Sequence, residues 1–217
     1  MFRKVLFMKK FLAIIICLLI SFGVCACSGK MKSSPVEDFE YEFDNGTAII
    51  TGYIGTDFDI VIPSEIEDRP VVVIDKRAFE GYDLKSVVIP DSVTVIEREA
   101  FDSCGLLESV NLPDSITYIG DYAFTDCDKL KEIILSDNLT SIGRAAFYNC
   151  DSLESVKFPD SVTETEIDEH AFKDCPNLIK VTMSEELFEK YFLNYDEYGI
   201  FEECNSELKV NGDKIYY

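Results

Sequence analysis

Residues 119–127, IGDYAFTDC, are the central copy of a phrase that decides the fold of this chain. The phrase reads Ile-x-x-x-Ala-Phe-x-x-Cys, with Tyr once in place of Cys, and its five copies occupy residues 74–82, 96–104, 119–127, 142–150 and 167–175. Successive phenylalanines are 22, 23, 23 and 25 residues apart; they are Phe79, Phe101, Phe124, Phe147 and Phe172. A fixed period in this range predicts a solenoid, because one short unit cannot bury its apolar face without neighbours.

Each unit carries a second apolar segment after the phrase. It reads Leu-x-x-Val/Ile-x-apolar, and the copies lie at residues 84–89, 107–112, 130–135, 153–158 and 178–183. Such segments predict parallel strands stacked about 4.8 Å apart, so that like side chains of neighbouring units lie over one another. We therefore expect a mainly β solenoid with parallel stacked strands and short helical or 3-10 turns, with the five phenylalanines in its core.

Four cysteines of the phrase stand in one column of this solenoid: Cys104, Cys127, Cys150 and Cys175. Stacking brings their Cα atoms within disulfide range, but their side chains point the same way, and Tyr82 fills the position in the first unit without a thiol. A zinc site needs ligands that converge on one point, whereas these lie along a line. The pattern predicts free, buried structural thiols and no metal.

Caps are predicted on both sides of the repeats. Residues 40–70 contain Asn45-Gly46 between two β-type segments, which predicts a β-hairpin within an N-terminal cap. Residues 71–183 hold five repeats of about 23 residues each. Residues 184–217 echo the repeat at 201–204 without its Ala, so we expect a degenerate repeat and a C-terminal cap, with Ser184 capping a helix.

The N-terminal residues predict export. Residues 3–10 are basic, and 11–24 form an apolar run that is too short to span a bilayer and is typical of a secretory signal peptide. The sequence VCAC at 24–27 resembles a bacterial lipobox in which Cys27 becomes the lipid-modified N-terminus. Cys25 is a weaker candidate, and a plain signal peptide cut nearby is the alternative. We expect a signal peptide over 1–26, a flexible tether over 27–39, and a secreted protein that is lipid-anchored at the bacterial cell surface.

The repeat consensus resembles that of a known family. Leu-x-x-Val-x-Ile-Pro-x-Ser-Val-x-x-Ile-x-x-x-Ala-Phe-x-x-Cys is similar to the BspA-like (treponemal-type) leucine-rich repeats, over residues 42–184. Two departures are the longer fifth unit, with its insertion at 163–166, and the shorter first unit, with Tyr82. The resemblance implies a leucine-rich-repeat solenoid and a bacterial surface adhesin that binds ligands on host or neighbouring cells.

Composition and motifs exclude several classes of function. A net charge of −21 argues against nucleic acid as a partner, because the surface repels phosphate. No phosphate-binding loop, metalloprotease motif or EF-hand loop is present. The lone histidine, His170, has no nucleophile motif beside it and stands at a position that varies between units. We predict no enzymatic activity, no catalytic residue, no cofactor and no metal.

The candidate binding residues lie where the predicted strands face solvent. The position between the last two inward residues of each strand reads Val88, Asn111, Ile134, Lys157 and Thr182. We interpret this column as the ligand-binding face; the alternative is ordinary strand composition at solvent positions. A second column, Asp91, Asp114, Asp137 and Asp160, either caps the turns or binds divalent cations.

The predicted function is that of a non-enzymatic cell-surface lipoprotein whose solenoid binds an unknown protein or glycan ligand on host or neighbouring cells. Contact with the membrane is expected only through the lipid anchor. The alternative is a structural envelope or spacer protein with no specific ligand.

Overall fold

The computed structural model describes residues 32–159, 166–193, 199–211 and 213–214. The predicted signal peptide, the lipidation site Cys27, the turn residue Asp160 and most of the insertion at 163–166 lie outside these residues. In the part of the chain that is described, no helix is long and apolar enough to cross a membrane.

An antiparallel hairpin begins the fold. A 3-10 turn at Val36–Asp38 leads into β1 (Phe39–Asp44), which pairs with β2 (Thr47–Tyr53). Asn45 and Gly46 join the two strands with φ angles of 47° and 85°. Both residues are left-handed, as a type I′ turn requires, so the predicted N-terminal hairpin cap is confirmed.

The folded part starts earlier than the predicted boundary at residue 40. The Ser34 amide donates to the Val61 carbonyl at 2.9 Å, and the Ser34 hydroxyl accepts from the Val61 amide at 3.0 Å. Phe39 is buried. The stretch from Ser34 onward was expected to belong to a flexible tether over 27–39, but it lies against the solenoid because it satisfies backbone groups at a free strand edge.

One sheet, here called the back sheet, collects the strands that precede each phrase. β2 pairs in parallel with β5 (Arg69–Ile74), and then follow β7 (Val95–Ile96), β9 (Tyr118–Ile119), β11 (Ser141–Ile142) and β13 (Glu166–Ile167). β4 (Glu65–Ile66) forms a second, unpredicted hairpin with β5. Its turn residues Glu67 and Asp68 have φ angles of 49° and 61°. They adopt a left-handed turn without glycine, so the usual sequence signal is missing.

The other set of strands, here called the front sheet, comes from the segments after each phrase. Its first part is β3 (Asp59–Val61), β6 (Ser86–Val88) and β8 (Ser109–Asn111). Its second part is β10 (Glu132–Ile134), β12 (Ser155–Lys157), β14 (Lys180–Thr182), β15 (Lys209–Val210) and β16 (Asp213–Lys214). All neighbours pair in parallel except β15 and β16, and β8 is not paired with β10.

The phrase itself forms turns that stack from unit to unit. The residue before each Ala is left-handed in all five copies, from Arg77 to His170, with φ between 52° and 61°. The amides of the first four phenylalanines donate to the Ala carbonyl of the next unit, as Phe124 does to Ala146 at 2.7 Å, and Phe172 donates to the Ile200 carbonyl at 2.9 Å. The sequence predicted short helical or 3-10 turns in the repeats. In the described repeats the phrase forms other turns, because a left-handed residue interrupts each one.

The phenylalanines form a stack that runs through the solenoid. Rings of Phe79, Phe101, Phe124, Phe147 and Phe172 are fully buried, with neighbouring centroids 4.9–5.2 Å apart and planes within 5° of parallel. Phe201 adds a sixth ring, 5.4 Å from Phe172, and on the other side Phe39 and Tyr53 close the stack against Phe79. The alanines before the rings are buried as well.

The C-terminal residues complete the solenoid. Ser184 caps α1 (Glu185–Phe188) by accepting a hydrogen bond from the Leu187 amide at 3.2 Å, and a π-helical turn follows at Glu189–Leu193. The chain then re-enters the Phe stack at Phe201. The predicted fold class, a mainly β leucine-rich-repeat solenoid with a degenerate sixth turn, is confirmed.

Candidate functional site

The front sheet presents two outward columns on a buried scaffold. The middle residues of its strands point inward and are buried, as Val87, Ile133 and Val156 are; Val110, next to the unpaired edge of β8, is only half-buried. The first residues of the strands form one outward column: Asp59, Ser86, Ser109, Glu132, Ser155, Lys180 and Lys209. The third residues form the other: Val61, Val88, Asn111, Ile134, Lys157 and Thr182.

The five predicted binding residues occupy the second column, but they fall into two groups. Val88 lies opposite Asn111, and Ile134, Lys157 and Thr182 follow one another on paired strands. The missing pairing between β8 and β10 separates the groups. Ile134 is 46 % exposed, Lys157 and Asn111 are exposed, and Val88 and Thr182 are half-buried.

The side chain of Asn111 forms two backbone hydrogen bonds that its position in the sequence did not predict. Its Oδ1 accepts from the Ile89 amide at 2.7 Å and its Nδ2 donates to the Ile89 carbonyl at 3.3 Å. The equivalent amides of Ile62, Leu135 and Phe158 donate to a strand carbonyl, as Leu135 does to Lys157 at 3.0 Å, whereas that of Met183 donates to Asn211 Oδ1 at 3.0 Å. The Asn111 side chain therefore replaces its own backbone carbonyl, and its amide group is less suited to hold a ligand than the prediction assumed.

Two residues that the sequence analysis did not select stand out in the C-terminal half of the front sheet. Lys180 lies directly opposite Lys209 on the paired strands β14 and β15. They line a shallow groove of about 590 Å³ together with Ile179, Val181, Thr182 and Asn211. The sequence contained a pattern that could have identified these two lysines. The first outward column changes from Ser and acidic residues to Lys in its last two positions.

The cysteine column is part of the core. Each thiol donates to the carbonyl of the phenylalanine one unit earlier, at distances of 3.0–3.4 Å; the donors are Cys104, Cys127, Cys150, Cys175 and Cys204. All five are free thiols. Burial raises the pKa of Cys104 to about 12 and that of Cys127 well above its usual value, which disfavours the reactive thiolate.

Tyr82 explains the one exception to Cys in this column. Its hydroxyl donates to the carbonyl of Tyr53 in the hairpin cap. The first unit has no earlier phenylalanine carbonyl below it, so the longer phenol reaches the cap instead. This position of the repeat therefore favours a side chain that can donate a hydrogen bond to the previous unit or to the cap.

His170 and three of the four turn aspartates lie within the described residues. In the described residues, the polar contact of His170 is with Glu202, 3.4 Å away, and Lys173 also pairs with Glu202 at 2.9 Å. Asp91, Asp114 and Asp137 are exposed. Within the described ranges, no group of three or more His, Cys, Asp or Glu side chains could hold a metal ion.

A comparison with models of protein families identifies the family of these repeats. The model of the BspA type leucine rich repeat region matches six copies over residues 72–207. The chain belongs to the BspA-type leucine-rich repeat family. The sixth copy corresponds to the degenerate unit that contains Phe201 and Cys204.

One solved structure agrees with this assignment, and others are similar to parts of the chain. The leucine-rich repeat protein of T. pallidum is 33 % identical, with a TM-score of 0.72, over 82 % of this chain and 81 % of that one. The pneumococcal vaccine antigen PcpA shares the fold, at 19 % identity and a TM-score of 0.55; the match covers 85 % of this chain and 52 % of that one. A leucine rich cell surface protein of Faecalibacterium prausnitzii is 25 % identical, with a TM-score of 0.48, over 73 % of this chain and 56 % of that one. A comparison with curated proteins gives no significant match.

Membership of the family indicates a protein-binding role for this BspA-type chain. Repeat proteins of this kind are typically non-enzymatic, and they use the extended surface that stacked strands create.

Proposed function

We propose that this BspA-type chain is a non-enzymatic, lipid-anchored surface protein whose front sheet binds a protein ligand in the manner of an adhesin. The observation that carries the proposal is Ile134. It is 46 % exposed in the centre of the second outward column, while Ile133 beside it is fully buried. An apolar side chain held outward on a rigid layer is a suitable contact for a partner.

The alternatives are a glycan ligand on the same face and a spacer without any ligand. A spacer needs only the stack, and its outward residues are free to vary without consequence. Substitutions in the two outward columns therefore distinguish a binding protein from a spacer. They leave the core intact, so they impair only a protein that binds a ligand through this face.

Substitution of Ile134 tests the binding face. Cells that produce the full chain are assayed for adhesion to arrays of matrix proteins and of glycans. We expect binding to a protein and its loss in Ile134→Asp. Leu106→Asp is the matched control, because Leu106 is 40 % exposed but lies outside the front-sheet strands. Equal behaviour of both variants would support the spacer, and binding to glycans alone would contradict a protein ligand.

Substitution of Cys27 tests the anchor. We expect metabolic labelling with a fatty acid in the unchanged chain, and both loss of the label and release from the membrane fraction in Cys27→Ser. A labelled Cys27→Ser chain would place the modification elsewhere, with Cys25→Ser as the comparison.

A further inference from the structure

We infer that the C-terminal half of the front sheet binds an acidic protein segment, with Lys157, Lys180 and Lys209 as its charge-recognising residues. The inference rests on the proposed function for the role of the front sheet, and it adds the chemistry of the partner. It concerns the groove between β14 and β15.

The first observation is the pairing of like charges. Lys180 and Lys209 lie opposite each other on neighbouring strands, an arrangement that destabilises a sheet. Neither they nor Lys157 has an ion-pair partner within the described part of the chain. The chain contains 41 acidic residues, and other basic groups use them, as Arg144 does with Glu169 at 3.2 Å. These three lysines, which have no ion pair with any described residue, are therefore available to an external acidic group.

The second observation is a change of polarity along the face. The N-terminal strands carry Asp59 and Ser86, which are hydrogen-bonded to each other at 2.5 Å. Three strands later, Lys157 stands on β12, and Lys180 and Lys209 stand on the strands after it. Glu132 on β10 is acidic and exposed, so the basic surface begins at β12. Because the whole chain carries a charge of −21, the face from β12 to β15 is where an anionic partner meets local attraction.

The third observation is the apolar surface beside the lysines. Ile179 is 48 % exposed in the groove, and Ile134 is 46 % exposed two strands away. Among the described residues, the groove lining has no aromatic side chain, although stacking on aromatic rings is the usual way to hold bases. Aliphatic contacts next to ammonium groups fit a peptide that alternates carboxylates and apolar side chains.

Peptide binding to the full chain, purified in detergent, tests this assignment. The probe is a fluorescein-labelled peptide of alternating Asp and Leu, compared with a peptide of alternating Lys and Leu, with heparin and with a single-stranded oligonucleotide. We expect the acidic peptide to bind and to be released by salt. Preference for heparin, for the oligonucleotide or for the basic peptide would overturn the inference.

Two matched variants locate the site. Lys180→Glu with Lys209→Glu is expected to weaken binding of the acidic peptide about tenfold or more, whereas Lys76→Glu with Lys129→Glu changes it less than about twofold. Lys76 and Lys129 are exposed and lie outside the front sheet, and the two pairs change the net charge equally. Equal weakening by both pairs would show attraction by net charge alone and overturn the inference.

The outcomes also separate this inference from the proposed function. If Ile134→Asp abolishes adhesion but the acidic peptide does not bind, the front sheet is a binding face and the assignment of an acidic partner is wrong. Thermal unfolding of each variant accompanies the binding measurement. Lys180→Glu with Lys209→Glu exchanges one like-charge pair for another, so a melting temperature close to that of the unchanged chain is expected, and a large fall would attribute lost binding to unfolding.

Discussion

At the scale of single residues, the repeat is maintained by left-handed positions that need not be glycine. The position two residues after each phenylalanine is also left-handed: Gly81, Ser103, Asp126, Asn149, Asp174 and Glu203. Short polar side chains tolerate this conformation, whereas β-branched ones do not. The repeat therefore disfavours β-branched side chains at this position.

Substitution of Ser103 tests this requirement. Ser103 is exposed with φ of 58°. Ser103→Val is expected to lower the free energy of unfolding by about 1–3 kcal/mol through backbone strain, and Ser103→Gly is expected to preserve it. Denaturant titration measures both; equal stability of the two variants would contradict a left-handed requirement.

The buried thiols give a second expectation at this scale. Because Cys104 has its pKa raised to about 12 and Cys127 is fully buried, iodoacetamide at mildly alkaline pH should modify neither in the native protein. Mass spectrometry of peptides should find both modified after unfolding in urea. Native labelling of Cys127 would contradict its place in the core.

Glu99 makes stability depend on pH. A hydrogen bond from Arg77 lowers the pKa of Glu99, with a further contribution from Arg98. Because the folded pKa lies below the unfolded value of 4.5, this stabilisation is present above that pH and is lost as pH falls through the folded pKa. Glu99→Gln should therefore melt lower than the unchanged protein at pH 7 and equally at strongly acidic pH. A melting difference independent of pH would contradict this role.

At the scale of elements, the phenylalanine stack joins one unit to the next. The rings lie nearly parallel, 4.9–5.2 Å apart, throughout the five complete repeats. The front sheet is less continuous, because β8 is not paired with β10. The stack and the back sheet therefore carry the connection between the two halves of the solenoid.

Removal of a central ring tests the stack. Phe124→Ala is expected to cost about 3–5 kcal/mol of unfolding free energy, because it removes contacts with the rings on both sides and leaves a cavity. Phe43→Ala is the control, since Phe43 is 38 % exposed on the hairpin and contacts Tyr41 and Arg69. Chemical denaturation of both variants gives the comparison; similar losses would contradict a central role for the stack.

At the scale of the whole molecule, the charge of −21 opposes the folded state through repulsion among acidic side chains. Burial raises the pKa of Asp102 and of Asp128. A carboxyl whose folded pKa exceeds the unfolded value destabilises the fold at neutral pH, and this cost disappears as pH falls through the folded pKa. Mild acid and salt should therefore both stabilise the solenoid.

The salt dependence is directly measurable. When ionic strength is raised until the Debye length falls from about 10 Å to about 3 Å, the melting temperature at pH 7 is expected to rise. A fall in melting temperature would show that ion pairs such as that of Lys173 with Glu202 outweigh the repulsion.

The sequence determined the parts of the fold that repeat. The spacing of Phe79 to Phe172 predicted the stack and its direction, and Asn45-Gly46 predicted the first hairpin, because each depends on local chemistry or on a period. The turn at Glu67 and Asp68 had no glycine to reveal it, and Ser34 gave no local sign of its contact with Val61. Such contacts depend on residues distant in the chain.

The tertiary structure decided the properties of the candidate site. The sequence placed Val88, Asn111, Ile134, Lys157 and Thr182 in one column, but only the structure shows that the Asn111 side chain bonds to Ile89 and that the missing pairing of β8 with β10 divides the column. Likewise, Lys180 and Lys209 are 29 positions apart in the sequence and become neighbours because the last unit pairs its shortened strand with β14. A repeat dictates which side chains face outward, and the pairing of particular strands decides which of them meet.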